Sequence, residues 1–195
     1  MSESAAAPTS TPSIAVRLLR PIGKLWLWAG GWKVAGEMPD LPKFIIVAAP
    51  HKTNWDLPNA LAAGLHYGLR IHWMGKDSLF KWPFGGVMRR LGGIPIDRSK
   101  SNNVVAQMVE TFDKAERLIV VIPPEGTRGE VARWKSGFYH IAHGAKVPLV
   151  LAFIDYKRRE VGVAQMFHTT GDYDTDLAKI QAVYAAIANT PAAAA

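Results

Sequence analysis

The hydrophobic positions of this chain fall into two kinds of segment that alternate along the sequence. Short continuous apolar runs end in proline, glycine or charged residues, and the segments between them repeat apolar residues with the period of a helix. Runs of the first kind predict buried strands, and segments of the second kind predict helices. We expect strands over 43–50, 70–76, 93–98, 118–124, 147–155 and 161–168, helices over 57–67, 101–117, 135–145 and 174–189, and an apolar helical connection over 79–92.

The alternation of these strands and helices predicts the fold class. Strands that are apolar on both faces are typical of a sheet that helices cover on both sides. We therefore expect an α/β fold, with a single mostly parallel or mixed sheet flanked by helices on both faces. No internal repeat or linker divides residues 39–190, which we expect to form one domain. The composition of residues 1–13 and 191–195 predicts disordered tails.

Residues 14–38 predict an amphipathic helical segment at the N-terminus. Leucine, isoleucine and valine are mixed there with tryptophans and cations, and Pro21 interrupts the pattern, which predicts two short helical pieces. Indoles and cations on one segment suit a helix that lies at a bilayer surface. A helix packed on the core would also explain the pattern. The residues concerned are Trp26, Trp28, Trp32, Arg17, Arg20, Lys24 and Lys33.

Composition and charge narrow the classes of partner. The 195 residues are 49% hydrophobic and 20% charged, which is typical of a globular protein. Lysine and arginine number 23 against 16 acidic residues, and the net charge of +7 suits an anionic partner such as a phospholipid surface or a phosphate-bearing substrate. We do not expect a nucleic acid, because the aromatic residues lie in apolar contexts and do not alternate with basic residues.

Cysteine usage and the N-terminus indicate the compartment. The chain has no cysteine, which excludes disulfides, thiolate metal sites and cysteine nucleophiles and is compatible with a reducing compartment. The first residues lack the basic and apolar regions of a signal peptide, and no stretch reaches the roughly 20 apolar residues of a membrane span. A cytoplasmic location is the expectation.

The first candidate for chemistry is the pair His51 and Asp56, which follows the strand predicted over 43–50. On a helix, a step of five residues turns the side chain about 140° away, so the two can meet only if the residues between them form a loop. A carboxylate bound to one imidazole nitrogen would leave the other nitrogen free to take a proton from a substrate hydroxyl. A metal half-site, or a surface histidine followed by a helix-capping aspartate, would give the same pattern.

The second candidate stretch is "GGIPIDRSK", residues 92–100, in which Asp97 and Arg98 follow a predicted strand. The two glycines permit a tight turn into the strand. Arginine at a strand end suits bidentate capture of phosphate. A structural pair between Asp97 and Arg98 is the alternative.

The third candidate stretch is "PPEGTRG", residues 123–129, which follows the buried run "LIVVI". Gly126 permits a positive φ, and the exposed amides, the Thr127 hydroxyl and the Arg128 guanidinium would make a cradle for an anion. Glu125 would orient the arginine or accept from a substrate hydroxyl. A simple turn is the alternative. Open α/β sheets bind ligands at the carboxyl ends of their strands, so all three stretches would face one region.

In order and spacing the motifs resemble those of the glycerolipid acyltransferases typified by 1-acylglycerol-3-phosphate (lysophosphatidate) acyltransferase. That family carries N-H-x4-D, G-x-I-x-I-D-R, F-P-E-G-T-R-S and a V-P-I-V-P-like strand, to which "PHKTNWD", "GGIPIDR", "PPEGTRG" and "VPLVLA" are similar. The resemblance covers roughly residues 40–155. The departures from the family pattern are Pro50 for asparagine, Pro123 for phenylalanine, Gly129 for serine, and Leu151 or Ala152 in place of the second proline.

The resemblance implies acyl transfer from an acyl thioester, either acyl-CoA or acyl carrier protein, to the free hydroxyl of a lysophospholipid. The first candidate acceptor is 1-acylglycerol-3-phosphate, and glycerol-3-phosphate or a lyso-aminolipid are alternatives. His51 would be the general base and Asp56 its orienting carboxylate. The resemblance implies substrate-binding roles for Lys76, Arg98, Glu125, Gly126, Thr127 and Arg128.

The resemblance also implies partners. It implies no metal and no cofactor beyond the thioester co-substrate, and a peripheral location at the cytoplasmic face of a membrane, with residues 14–38 as the contact. A non-catalytic peripheral membrane lipid-binding protein is the alternative from a different class. His140 and His143 lie three positions apart, but no nearby acidic residue completes a metal site with them.

Overall fold

The computed structural model describes residues 14–50, 53–96, 101–126 and 133–190. Within these ranges, seven strands form one sheet. The strands are β1 Lys33–Ala35, β2 Lys43–Ala48, β3 Ile71–Lys76, β4 Gly93–Ile96, β5 Leu118–Ile122, β6 Leu149–Asp155 and β7 Glu160–Phe167. The helices are α1 Ile14–Ala29, α2 Asp56–Tyr67, α3 Gly85–Arg90, α4 Ser101–Lys114, α5 Gly137–Ala145 and α6 Tyr173–Asn189, with a 3-10 turn over Asp77–Phe80.

The order of the strands is β1-β7-β6-β2-β5-β3-β4. β6, β2, β5, β3 and β4 run parallel to one another, whereas β7 pairs antiparallel with β6 and β1 pairs parallel with β7. This mixed, mostly parallel sheet confirms the predicted α/β fold class. It also brings the carboxyl ends of five strands to one edge, which we call the carboxyl edge.

The two faces of the sheet carry separate parts of the core. Alternate side chains of a strand point to opposite faces, and β2 shows this directly. Ile45 and Val47 belong to the cluster that includes residues of α4, α5 and α6, whereas Phe44 and Ile46 belong to a cluster on the other face. α2 covers that second face, and Leu27 of α1 packs beside it. Helices therefore cover both faces, as predicted.

The predicted helical segment over 14–38 is partly wrong. α1 runs through Pro21 as one helix and not as two pieces. Pro21 is exposed, so water can bind the carbonyl that its missing N–H leaves without a partner. The segment is also not helical throughout, because β1 forms the outermost strand of the sheet beside β7.

Close packing holds α1 on α2. A Cβ at Gly23 would lie 2.6 Å from Cβ of Leu65 and 2.7 Å from the carbonyl oxygen of Ala62, so only glycine allows this approach. Leu27 is 2% exposed. One face of α1 is therefore part of the core. The opposite face is exposed and apolar, with Leu18, Ile22, Leu25 and Trp28 between 58% and 77% exposed.

Candidate active site

The predicted site residues follow the strands that end at the carboxyl edge. Asp56 begins the helix after β2, Lys76 is the last residue of β3, and Glu125 lies in the loop after β5. Because these strands are parallel, their ends and the residues that follow them lie at the same edge. Four predicted site residues lie outside the described ranges: His51, Arg98, Thr127 and Arg128.

Asp56 is a buried carboxylate held by defined donors. It is 5% exposed, and its Oδ2 accepts from the backbone N–H of Thr53 at 2.9 Å. Its Oδ1 accepts from the Thr53 hydroxyl at 3.0 Å and from the Tyr156 hydroxyl at 2.6 Å. These donors bind both carboxylate oxygens and fix the orientation of the side chain. A carboxylate that orients a histidine must itself be held in this way.

The backbone before α2 tests the alternative in which Asp56 caps a helix. Residues 53–55 form a bend and a turn, and α2 begins only at Asp56. Trp55 occupies the N-cap position and makes no capping bond, so Asp56 is not the helix cap that the simplest alternative required. The described part of the connection therefore has the irregular backbone that a meeting of the two side chains needs.

Tyr156 is the residue of the site that the sequence did not reveal. It follows β6 at the carboxyl edge, is 39% exposed, and its ring packs edge-on against Trp32 at 5.1 Å between centroids. Burial and the hydrogen bond to Asp56 raise the pKa of Tyr156, so its hydroxyl keeps its proton and donates. Its only sequence signal is its position, directly after the last parallel strand in "FIDYK".

Polar side chains of α1 and α2 support Tyr156. Asn59 of α2, which is buried, donates from Nδ2 to the Tyr156 hydroxyl at 3.4 Å. Trp26 of α1 donates from its indole nitrogen to Oδ1 of Asn59 at 3.0 Å. Hydrogen bonds thus run from the N-terminal helix through Asn59 and Tyr156 to Asp56.

The loop after β5 turns where glycine was predicted to allow it. Gly126 has a φ of +65°, and a Cβ there would lie 2.7 Å from Cδ of Lys135. The backbone N–H of Lys135 donates to the carbonyl of Pro124 at 2.8 Å, which ties the loop to the segment before α5. The aliphatic stem of Lys135 thus crosses the glycine, and its ammonium Nζ would lie 2.9 Å from the same Cβ position. A cation therefore stands beside Gly126.

The turn into β4 also requires glycine. Gly92 has a φ of +83°, and a Cβ there would lie 2.3 Å from the carbonyl oxygen of Ile71.

Lys76, at the end of the neighbouring strand, is exposed and available to a ligand. Pro50, which replaces asparagine in the family pattern, is exposed and follows a cis peptide bond at the end of β2.

Within the described ranges, no three histidine, aspartate or glutamate side chains converge as a metal site would require. The expectation that no metal is needed remains a prediction. None of the helices in the described part of the chain has the length and apolar character to cross a membrane.

The family model for acyltransferases matches residues 36–154, a span that includes all four motif stretches and more than half of the chain. The chain therefore belongs to the acyltransferase family, and the resemblance drawn from the motifs is confirmed at that level. Among solved structures it is similar to PlsC, the 1-acyl-sn-glycerophosphate (LPA) acyltransferase of Thermotoga maritima, with a TM-score of 0.63 and 18% identity over 90% of this chain and 81% of that one. At this identity the likeness shows a shared fold. A comparison with curated proteins found no match.

Proposed function

We propose that the protein transfers a fatty acyl group from an acyl thioester to the free hydroxyl of a lysophospholipid, with 1-acylglycerol-3-phosphate as the first candidate acceptor. The observation that carries the proposal is the buried Asp56, held by Thr53 and Tyr156 at the carboxyl edge, in an acyltransferase whose sequence has His51 in the motif position. The thioester is acyl-CoA or acyl carrier protein.

In the proposed reaction His51 is the general base and Asp56 orients its ring. His51 takes the proton of the acceptor hydroxyl as the oxygen forms a bond to the thioester carbonyl carbon. The tetrahedral intermediate then collapses, the carbon–sulfur bond breaks, and the thiolate takes the proton from His51. The acyl group passes directly to the acceptor, so no acyl-enzyme forms.

Cations at the carboxyl edge would bind the phosphate of the acceptor. Lys76 stands at the end of β3, and Arg98 and Arg128 belong to the motifs that follow β4 and β5. Guanidinium groups hold phosphate oxygens in pairs, and a lysine adds a point charge. In this proposal Thr127 and the amide of Gly126 donate to the same phosphate, and Glu125 accepts from a hydroxyl of the acceptor.

An apolar crevice would receive part of an acyl chain. It lies between α2 and the sheet, where Ala60, Ala63 and Gly64 leave space above Ala48 and Ala152. Ala48 is the last residue of β2 and pairs with Ala152 of β6, so the crevice extends to the carboxyl end of β2. The lining is apolar apart from the Tyr67 hydroxyl, which suits a hydrocarbon chain.

The exposed face of α1 would contact the membrane that holds the acceptor. Leu18, Ile22, Leu25 and Trp28 follow one another at helical spacing on that face, with Arg17 and Lys24 beside them. Truncation is a poor test, because residues 14–38 contribute core packing and β1. The variant Leu18→Ser/Ile22→Ser keeps the packed face, and its loss of sedimentation with anionic vesicles would support the role of α1.

The test of the activity is thiol release from acyl-CoA with glycerol-3-phosphate, 1-acylglycerol-3-phosphate and a lyso-aminolipid as separate acceptors. We expect acceptor-dependent release by the wild type and its loss in His51→Ala. Equal release by the two proteins would refute the general-base mechanism. Activity only with an acceptor that lacks a free phosphate would refute the first candidate acceptor and leave acyl transfer in place.

A further inference from the structure

The connection between β3 and β4 exposes an unusual set of large apolar side chains. Trp82 is 93% exposed and Phe84 is 68% exposed, and Leu79, Val87 and Leu91 are each about half exposed at 49%, 52% and 47%. Single exposed apolar residues are normal on a soluble protein, but five on one short connection are not. We call residues 79–91 the crossover surface.

The crossover surface is also basic. Lys81, Arg89 and Arg90 are exposed, Lys76 precedes them, and Asp77 is the single acidic residue of the stretch 76–91. Among the residues that the structure describes, none forms an ion pair with Lys81, Arg89 or Arg90. The guanidinium of Arg89 lies over the ring of Phe80, 5.3 Å from its centroid, whereas the exposed charges of Lys81 and Arg90 face solvent or a partner.

The fold holds this surface outward. Phe80 is the inward residue of the connection, 8% exposed and packed on Trp73 at 6.0 Å between ring centroids. A Cβ at Gly85 would lie 2.0 Å from the carbonyl oxygen of Phe80, and one at Gly93 would lie 2.7 Å from its ring. Phe80 thus fills the inward position of the connection, and Trp82 and Phe84 lie on its outer side.

The surface starts at the carboxyl edge. The connection leaves β3 at Lys76, and β3 and β4 are the last two strands at one end of the sheet. α1 packs near the other end, where Leu27 shares a cluster with Ile154 of β6 and Val161 of β7. At about 4.8 Å between neighbouring strands, roughly 20 Å separates β3 from β7. Along the sheet, the strand ends that carry the site thus lie between the crossover surface and α1.

We propose that the crossover surface docks on a bilayer that contains anionic phospholipid. Indole and phenyl rings settle at the depth of the headgroups, and cations bind the lipid phosphates. Contact at both ends of the sheet would lay the carboxyl edge against the bilayer, where a lysophospholipid hydroxyl is found. The inference deepens the proposed function by naming how its acceptor is reached, but its test needs no substrate.

The test is sedimentation with vesicles of phosphatidylcholine alone and of phosphatidylcholine with phosphatidylglycerol. We expect the wild type to bind the anionic vesicles. Trp82→Ser/Phe84→Ser should need about tenfold more lipid for half-maximal binding, and Lys81→Gln/Arg90→Gln should lose the preference for anionic lipid. Met166→Ser is the control, because Met166 is 45% exposed and lies near the end of β7, at the edge opposite the carboxyl edge. This variant should bind vesicles as the wild type does.

The outcomes separate the proposals. Wild-type binding by Trp82→Ser/Phe84→Ser would overturn the crossover surface as a docking site. A change in its elution volume on size exclusion, without a change in vesicle binding, would instead show a protein–protein contact and also overturn it. Vesicle binding that depends on Trp82 and Phe84, in a protein that releases no thiol with any acceptor, would support the surface while the proposed function fails.

Discussion

The substitution Tyr156→Phe tests whether the support of Asp56 matters for catalysis. It removes one hydroxyl, which donates to Oδ1 of Asp56 at 2.6 Å and lies 2.9 Å from the Thr53 hydroxyl. The ring that remains can keep its edge-on contact with Trp32, 5.1 Å away between centroids. The hydroxyl also accepts from Nδ2 of Asn59 at 3.4 Å, so the change is confined to its hydrogen bonds with Asp56, Thr53 and Asn59.

The expected losses differ for stability and for turnover. A hydrogen bond to a charged group contributes about 1.5–3 kcal/mol when it is buried. Tyr156 is 39% exposed, so water can replace its hydroxyl, and the free energy of unfolding should fall by about 1 kcal/mol or less. Turnover should fall by about 10- to 100-fold, because a displacement of about 1 Å in a positioning group has effects of that size. KM should change little, since the proposed role of Tyr156 is to hold Asp56 and not to bind substrate.

A second tyrosine offers a matched control. The Tyr139 hydroxyl donates to Oδ2 of Asp176 at 2.8 Å, and the same oxygen accepts from the backbone N–H and the hydroxyl of Thr170 at 2.6 and 3.0 Å. Thr170 follows β7, which is antiparallel to β6, so this cluster lies at the opposite edge of the sheet. Tyr139 is 1% exposed, so Tyr139→Phe should lose about 1.5–3 kcal/mol of stability.

The assays are steady-state thiol release and urea unfolding on both variants. Tyr156→Phe should lower kcat more than stability, and Tyr139→Phe should lower stability and leave the kcat of the folded enzyme unchanged. Wild-type kcat in Tyr156→Phe would refute the positioning role. An equal fall of kcat in both variants would show that the effect is a general loss of structure.

Three further predictions concern single residues. Asp56→Asn should cost only about 1 kcal/mol of stability by urea unfolding, because an amide can still accept from Thr53 N–H and donate to the hydroxyls. The kcat of this variant should nevertheless fall by at least about 100-fold. A kcat equal to that of the wild type would show that the charge of Asp56 is not used. Gly92→Ala should lose at least about 1 kcal/mol of stability in the same assay, because φ is +83° and the Cβ would meet the carbonyl oxygen of Ile71; an unchanged midpoint would contradict this. For Asp176, burial raises the pKa but hydrogen bonds from Thr170 and Tyr139 outweigh it, so the net pKa lies below 3.8. The stability that this shift contributes is present above 3.8 and is lost as pH falls through the folded pKa. In urea unfolding, the advantage of wild type over Asp176→Asn should therefore be constant down to about pH 5 and shrink as the pH falls below 3.8.

The strands could be predicted from the sequence because their buried residues follow one another directly in the chain. All five residues of β5 are buried, as are the four central residues of β2, so both appear as continuous apolar runs. β1 could not be found in this way. It has three residues with intermediate or full exposure, and only its register with β7 makes it a strand. The predicted break at Pro21 was wrong for a related reason, because the sequence does not show that Pro21 lies on the exposed side of α1.

The site was predictable where its residues belong to short motifs that follow predicted strands. Thr53 and Asp56 are three positions apart, and the irregular backbone between them follows from the five-residue step to His51. Tyr156 lies 100 residues from Asp56, and no period or motif connects the two. Their contact depends on β6 lying beside β2, which is a property of the strand order and not of either segment.

The two clusters of tyrosine, threonine and aspartate show why hydrogen-bond geometry alone does not define the active site. Asp56 and Asp176 are both buried, and each accepts from a tyrosine hydroxyl and from both donors of a threonine. They differ in their surroundings. Asp176 lies at the edge where the parallel strands begin, whereas Asp56 lies where five strands end and belongs to a stretch that the acyltransferase family model matches. The same local arrangement therefore stabilises the fold at one edge and, by our proposal, orients a catalytic base at the other.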